Sequence, residues 1–198
     1  EGLFQYGGPG GGADAPAKFY TQECAIYMNS SASRAGVINN AADFEVGYGM
    51  LPYYEGVEGA PQNSIIGGAT LWVLQGHDEA EYKGVADFFS YLSSAEVQAD
   101  WHQFSGYLPI TQAAYELGQQ QGYYAANPGS DVAIKQITLN APTVNSKGLR
   151  FGNYTQIRDV IDQEFQALLA GDKTAQEALD ALVSRGNEML RDFEATNN

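Results

Sequence analysis

The stretch Gly148-Leu149-Arg150-Phe151-Gly152-Asn153-Tyr154-Thr155-Gln156-Ile157-Arg158 most restricts how this chain can fold. Its two glycines and its asparagine accept backbone angles that other residues avoid, so they predict a turn. A helical pattern follows directly. Ile157, Ile161, Phe165 and Leu168 share one face, and Gly171 is placed to end it. Arg158 is expected in the first turn of that helix, near the positive end of its dipole. Arginine and a helix start share a preference for an anion such as phosphate or carboxylate. The alternative is that Arg150 and Arg158 are surface charges paired with neighbouring carboxylates. The chain holds 10 basic and 24 acidic residues, so two arginines in one turn stand out against a net charge of −14. That charge disfavours nucleic acid and anionic membrane as partners.

Before this turn the pattern alternates short apolar runs with helices. Glu1 to Gly12 has no Met start and contains Gly7-Gly8-Pro9-Gly10-Gly11-Gly12, which reads as a loop inside a longer chain. Ala13 to Gln22 reads as a short helix, with Asp14 and Pro16 near its start. Cys24-Ala25-Ile26-Tyr27-Met28 has the length and continuous apolarity of a buried strand. Asn29 to Ser33 is a polar loop whose hydroxyls can cap a helix over Ser33 to Ala42. A hydroxyl or N–H at this strand end can equally touch a ligand. Phe44 to Met50 and Ile65 to Leu74 read as further strands, joined by a surface loop over Pro52 to Asn63. The pair Gly67-Gly68 inside the latter strand requires something to approach the backbone closely, either a ligand or another strand.

Glu79 to Leu92 has apolar residues at helical spacing. Ser93-Ser94-Ala95-Glu96 fits a capping box for a helix to Phe104. Ser105-Gly106-Tyr107-Leu108-Pro109-Ile110-Thr111 is then a loop before a helix through Gln119. An aromatic residue in a Gly-Pro frame can offer its face or hydroxyl to a ligand, or simply pack. Asn127-Pro128-Gly129 is a turn, Ser130 to Thr138 a helix, and Thr174-Ala175-Gln176-Glu177 a capping box opening the last helix. Strands and helices in this order define an α/β chain.

The chemistry of catalysis is sparse. His77 and His102 are too few for most metal or triad schemes, and each is expected to be solvated or locally paired. No G-x-S-x-G, H-E-x-x-H or Walker pattern is present, and no acidic pair is marked out as an acid/base couple. Cys24 has no second cysteine to pair with. No cofactor or metal is implied. There is no apolar run of about 18 residues, the length a membrane span needs. The residues themselves lead to an α/β binding protein for a small anion-bearing ligand.

Several stretches then resemble one family in order and with similar spacing. They are Glu23-Cys24-Ala25-Ile26, Ser30-Ser31, Ala60-Pro61-Gln62-Asn63, Ile66-Gly67-Gly68-Ala69 with Leu71-Trp72-Val73, Gly106 to Thr111, Gly148-Leu149-Arg150, Gly152-Asn153 with Gln156-Ile157-Arg158, and Arg185-Gly186-Asn187-Glu188. The chain resembles the C-terminal half of the periplasmic sn-glycerol-3-phosphate-binding proteins, the substrate-binding subunits of ABC importers. These belong to the maltose-binding-like group of solute receptors.

The resemblance implies a two-lobed α/β receptor of the periplasmic-binding-protein type II class, with this half contributing to both lobes. Residues 30–105 are expected in the first lobe, and 1–29 and 106–198 in the second. The ligand contacts it implies are Ser30, Gly68, Tyr107 and Arg158, with no catalytic residue. Arg158 would hold the phosphate, Tyr107 would donate its hydroxyl, and Gly68 would offer its backbone N–H. Ser30 would bond a phosphate or glycerol oxygen. Asn29 stands where the family has a glycine, which leaves Ser31 as the alternative to Ser30. The implied partners are glycerol-3-phosphate or a glycerophosphodiester, the membrane subunits of an ABC permease, and the missing N-terminal half. The implied location is periplasmic, or extracellular and membrane-tethered. An oligosaccharide receptor fits Arg158 less well. A phosphodiester hydrolase would need a metal cluster or acid/base pair that the sequence does not show.

Overall fold

Every regular element among the described residues is a helix. The computed structural model describes residues 4–8, 15–41 and 43–197. The helices are α1 Ala15–Tyr20, α2 Arg34–Asn40, α3 Glu79–Leu92, α4 Ala95–Ser105, α5 Gln112–Gln120, α6 Tyr123–Ala126, α7 Val132–Ile137, α8 Tyr154–Ala170 and α9 Ala175–Asn197, with a 3-10 turn at Ser31–Ser33. Most of the expected Gly7 to Gly12 loop lies outside the described residues, as do Ala13, Asp14 and Ala42 at the expected helix ends.

Side-chain caps explain where α3, α4, α5 and α9 start. Asp78 accepts from the Glu81 N–H, and the Glu81 carboxylate accepts from the Asp78 N–H, a reciprocal cap that the sequence reading did not single out. Thr174 and Glu177 form the expected reciprocal cap of α9. The expected box at Ser93 to Glu96 is displaced by one residue. Ser94 is the cap, its Oγ accepting from Val97 N–H at 3.4 Å, while Ser93 closes α3. Gly171 ends α8 with φ +83°.

The expected strands do not form among the described residues. Cys24 to Met28, Phe44 to Met50 and Ile65 to Leu74 carry no strand among the described residues. A strand forms only when a neighbour takes its N–H and C=O groups, and no described segment does so. Side chains expected inside face out: Ile26 is 81% exposed, Trp72 84% and Leu74 74%. The α/β class is therefore not seen among these residues, which are helical and irregular.

The chain divides into two compact units, Glu1–Tyr27 with Leu149–Asn198, and Met28–Gly148. In the first, α8 packs on α9 through Ile157, Val160, Ala178 and Gly186, all buried. Glu164, also buried, faces the same seam and is paired by Lys173 and by Arg185, whose Nη1 donates at 2.8 Å. Arg185 Nη2 also donates to Gln163 at 2.8 Å. The Arg185-Gly186 motif is thus a joint between the two helices.

In the second unit α4, α5 and α6 pack around Ala99, His102, Ala114 and Gly118. The Tyr124 ring lies on Gly118, where a side chain would crowd it. Asn63 joins a distant segment: its Nδ2 donates to Asn140 O at 2.8 Å, and its Oδ1 accepts from Asn140 N–H at 2.7 Å. Asn140 in turn donates to Pro61 O at 2.9 Å. This gives the Ala60-Pro61-Gln62-Asn63 motif a structural role.

Candidate ligand-binding site

Ser30 caps the 3-10 turn, its Oγ accepting from Ala32 N–H at 3.3 Å. Its N–H donates to Asn29 Oδ1 at 2.6 Å, and its C=O accepts from Ser33 Oγ at 2.7 Å. The backbone is fixed and the exposed hydroxyl keeps a proton to donate. Gly68 has φ +134°, which favours glycine, and no atom lies within 4 Å of where its β-carbon would be. Its backbone is open to close approach.

Tyr107 is 54% exposed. Its hydroxyl makes no hydrogen bond among the described residues, whereas its backbone is held on both sides. The N–H donates to Ser105 Oγ at 3.2 Å, and the C=O accepts from His102 Nδ1 at 2.6 Å.

Arg158 is the fifth residue of α8, so it stands in the second turn and not the first as expected. The helix starts at Tyr154 because Asn153, at φ +50°, leaves the helical region, and its amide donates to Met189 O at 2.9 Å instead of capping α8. The Arg158 guanidinium lies 5.8 Å from the centre of the Tyr154 ring, one turn back. No carboxylate pairs with Arg150 or Arg158 among the described residues, while Lys83, Lys135, Lys173 and Arg185 all have such partners.

Ser30, Gly68 and Tyr107 belong to the unit Met28–Gly148, and Arg158 to the other. No hydrogen bond joins any two of Ser30, Gly68 and Tyr107.

Sequence reasoning missed the surroundings of His102. Only 3% exposed, its ring sits 5.6 Å from Tyr123 and 5.7 Å from Tyr124. Burial lowers its pKa below the ordinary histidine value; the Tyr107 carbonyl opposes this, and the Arg34 cation adds to it. Tyr124 is pushed up to about 12, first by burial and then by Tyr115, Asp131 and Tyr123. Arg34 lies over the Tyr48 ring at 5.2 Å and donates to Pro128 O at 3.3 Å. The only sequence signal was the number of tyrosines and a histidine one turn before a Gly-Tyr loop. His77 is exposed and locally paired, 3.1 Å from Glu81.

Among the described residues no group of three His, Cys, Asp or Glu side chains could hold a metal ion. No described helix is long and apolar enough to cross a membrane.

Residues 4–130 match the family described as bacterial extracellular solute-binding protein, and the chain belongs to that family. At 52% identity over 184 residues it is similar to the sn-glycerol-3-phosphate-binding periplasmic protein UgpB of Yersinia enterocolitica, over 93% of this chain and 42% of that protein. The protein of the same name from Pectobacterium atrosepticum is 52% identical over 185 residues, covering 93% and 41%. That from Salmonella typhimurium is 51% identical over 181 residues, covering 91% and 41%. The chain spans about two fifths of the length of these curated relatives. All three are named as binding proteins.

Proposed function

We propose that this chain is the C-terminal part of the substrate-binding subunit of an ABC importer, a non-catalytic receptor that captures sn-glycerol-3-phosphate in the periplasm and delivers it to membrane permease subunits. The observation that carries this reading is 52% identity over 93% of the chain to proteins named for binding that ligand. Half the positions agree, and the agreement is not confined to one motif.

In this reading the ligand lies between two lobes, and Arg158, Tyr107, Gly68 and Ser30 contact it. Three local facts support the first three of these: an Arg158 without a carboxylate partner among the described residues, a Tyr107 hydroxyl in no hydrogen bond among them, and an open Gly68 backbone. The phosphate would take the guanidinium as a charge-assisted partner.

The α/β architecture belongs to the same proposal. Cys24 to Met28, Phe44 to Met50 and Ile65 to Leu74 would become strands when the remaining three fifths of the receptor provides neighbours. The exposure of Ile26, Ile66, Leu71 and Trp72 supports this, since isolated strands leave such side chains in water. The proposed lobes are 30–105 against 1–29 with 106–198. Because α4 and α5 pack across the 105/106 boundary, extending the first lobe to Gly148 would instead follow the compact units.

Calorimetric titration of the full-length receptor with sn-glycerol-3-phosphate, glycerophosphocholine and maltose tests the function. Binding of the first is expected. Binding of glycerophosphocholine alone would keep the phosphate site and move the specificity to a glycerophosphodiester. Binding of maltose alone would overturn the reading.

A further inference from the structure

Tyr107 poses a problem of placement. At 54% exposure no surrounding core fixes its side chain, so the direction of its hydroxyl depends on how the backbone beneath it is held. That backbone is held by one face of α4. Gln98, His102 and Ser105 lie four and three residues apart, which stacks them along the helix. Gln98 Oε1 accepts from Ile110 N–H at 3.2 Å, His102 Nδ1 meets Tyr107 O at 2.6 Å, and Ser105 Oγ accepts from Tyr107 N–H at 3.2 Å. The three bonds hold both ends of the loop Tyr107 to Ile110.

His102 is the best fixed of the three. A carbonyl can only accept, so Nδ1 carries the proton and the tautomer is determined. Its ring is packed against Tyr123 and Tyr124, and α4 ends one turn later at Gly106, φ +76°. Gln98 is held too, its Nε2 donating to Leu92 O.

We propose that His102, with Gln98, is a positioning residue for ligand recognition: it fixes the Tyr107 backbone and thereby sets where the Tyr107 hydroxyl meets the ligand. The inference rests on the placement of Tyr107 in the site proposed above. Neither His102 nor Gln98 touches the ligand.

The test is a double-mutant cycle on the full-length receptor, read by calorimetry with sn-glycerol-3-phosphate. His102→Phe removes the donor and keeps a ring. It is expected to weaken binding about three- to tenfold, the range for one lost neutral hydrogen bond. The same change on top of Tyr107→Phe is expected to have almost no further effect, because the hydroxyl being aimed is gone. His102→Asn, whose amide nitrogen can stand near the place of Nδ1, is expected to restore binding. Gln98→Ala asks the same question should His102→Phe not fold, and is expected to show a smaller loss that again disappears with Tyr107→Phe. Equal losses in both backgrounds would overturn the inference and leave His102 a core residue. So would unchanged binding in the His102 and Gln98 variants while Tyr107→Phe binds weakly. If Tyr107→Phe binds as the parent does, the placement of Tyr107 in the site fails first, and this inference with it.

Discussion

The ring of Phe193, near the end of α9, lies where a β-carbon on Gly152 would stand. The glycine just before α8 is therefore a contact surface, and its neighbour Asn153 ties the same turn to Met189. Gly152→Ala is expected to destabilise the protein by about 1–3 kcal/mol, the range for overpacking a filled space. Chemical denaturation checks it. Adding Phe193→Leu should recover part of the loss, and additive losses would show that the ring is not the obstacle.

Glu164 gives the α8–α9 seam an acid sensitivity. Hydrogen bonds from Lys173 and then Arg185 hold its pKa below the ordinary glutamate value. A carboxylate with a depressed folded pKa stabilises the protein above its unfolded pKa, and that contribution is lost as the pH falls through the folded one. Glu164→Gln should therefore lower the melting temperature at pH 7 and have a much smaller effect at pH 3. Equal effects at both values would contradict the pairing.

His102 has the opposite charge type and the same pH direction. Its folded pKa lies below the ordinary value, chiefly through burial, with Arg34 contributing and the Tyr107 bond opposing. Stability from the neutral ring is complete above about 6.5 and declines as the pH drops through the folded pKa. An NMR titration of the ring is expected to give a midpoint under 6.5. A midpoint at or above that value would place the ring in water.

Asn63 acts as a peptide mimic towards Asn140. Asn63→Asp would replace its donor by a second acceptor facing the Asn140 carbonyl, a loss of about 1 kcal/mol or more. Hydrogen exchange at the Asn140 amide is the direct readout. Exchange should change little in Asn63→Asp, which keeps an acceptor, and accelerate in Asn63→Ala. Unchanged exchange in Asn63→Ala would show that the bond does not protect the amide.

Arg158→Ala tests the proposed phosphate contact. Arg158 is exposed in this chain. In the proposed full-length receptor the phosphate is desolvated against it, and losing such a charge partner costs about 2–5 kcal/mol, so affinity for sn-glycerol-3-phosphate should fall by about 30-fold or more. A change under about twofold would remove Arg158 from the site.

The short α6 Tyr123–Ala126 was not read from the sequence. Most helices were legible because a helix satisfies its own backbone within about four residues. Local residues therefore decide it: Thr174 with Glu177 starts α9, Gly171 stops α8, and Ser94 in place of Ser93 is an error of one position. Family membership was legible for a different reason, since it rests on the order and spacing of short motifs. What those motifs do was not. Gly152 answers to Phe193, Asn63 to Asn140, Arg185 to Glu164 and His102 to Tyr107, and in the first three cases the partner is 21 residues or more away. The strands show the same division from the other side. Cys24 to Met28 and Ile65 to Leu74 have strand composition, but a ladder needs partner backbone, and none of the described residues supplies it. Sequence alone determined most of the helices and the family; tertiary structure decided which glycines, amides and charges are joints, because those depend on neighbours that chain order does not reveal.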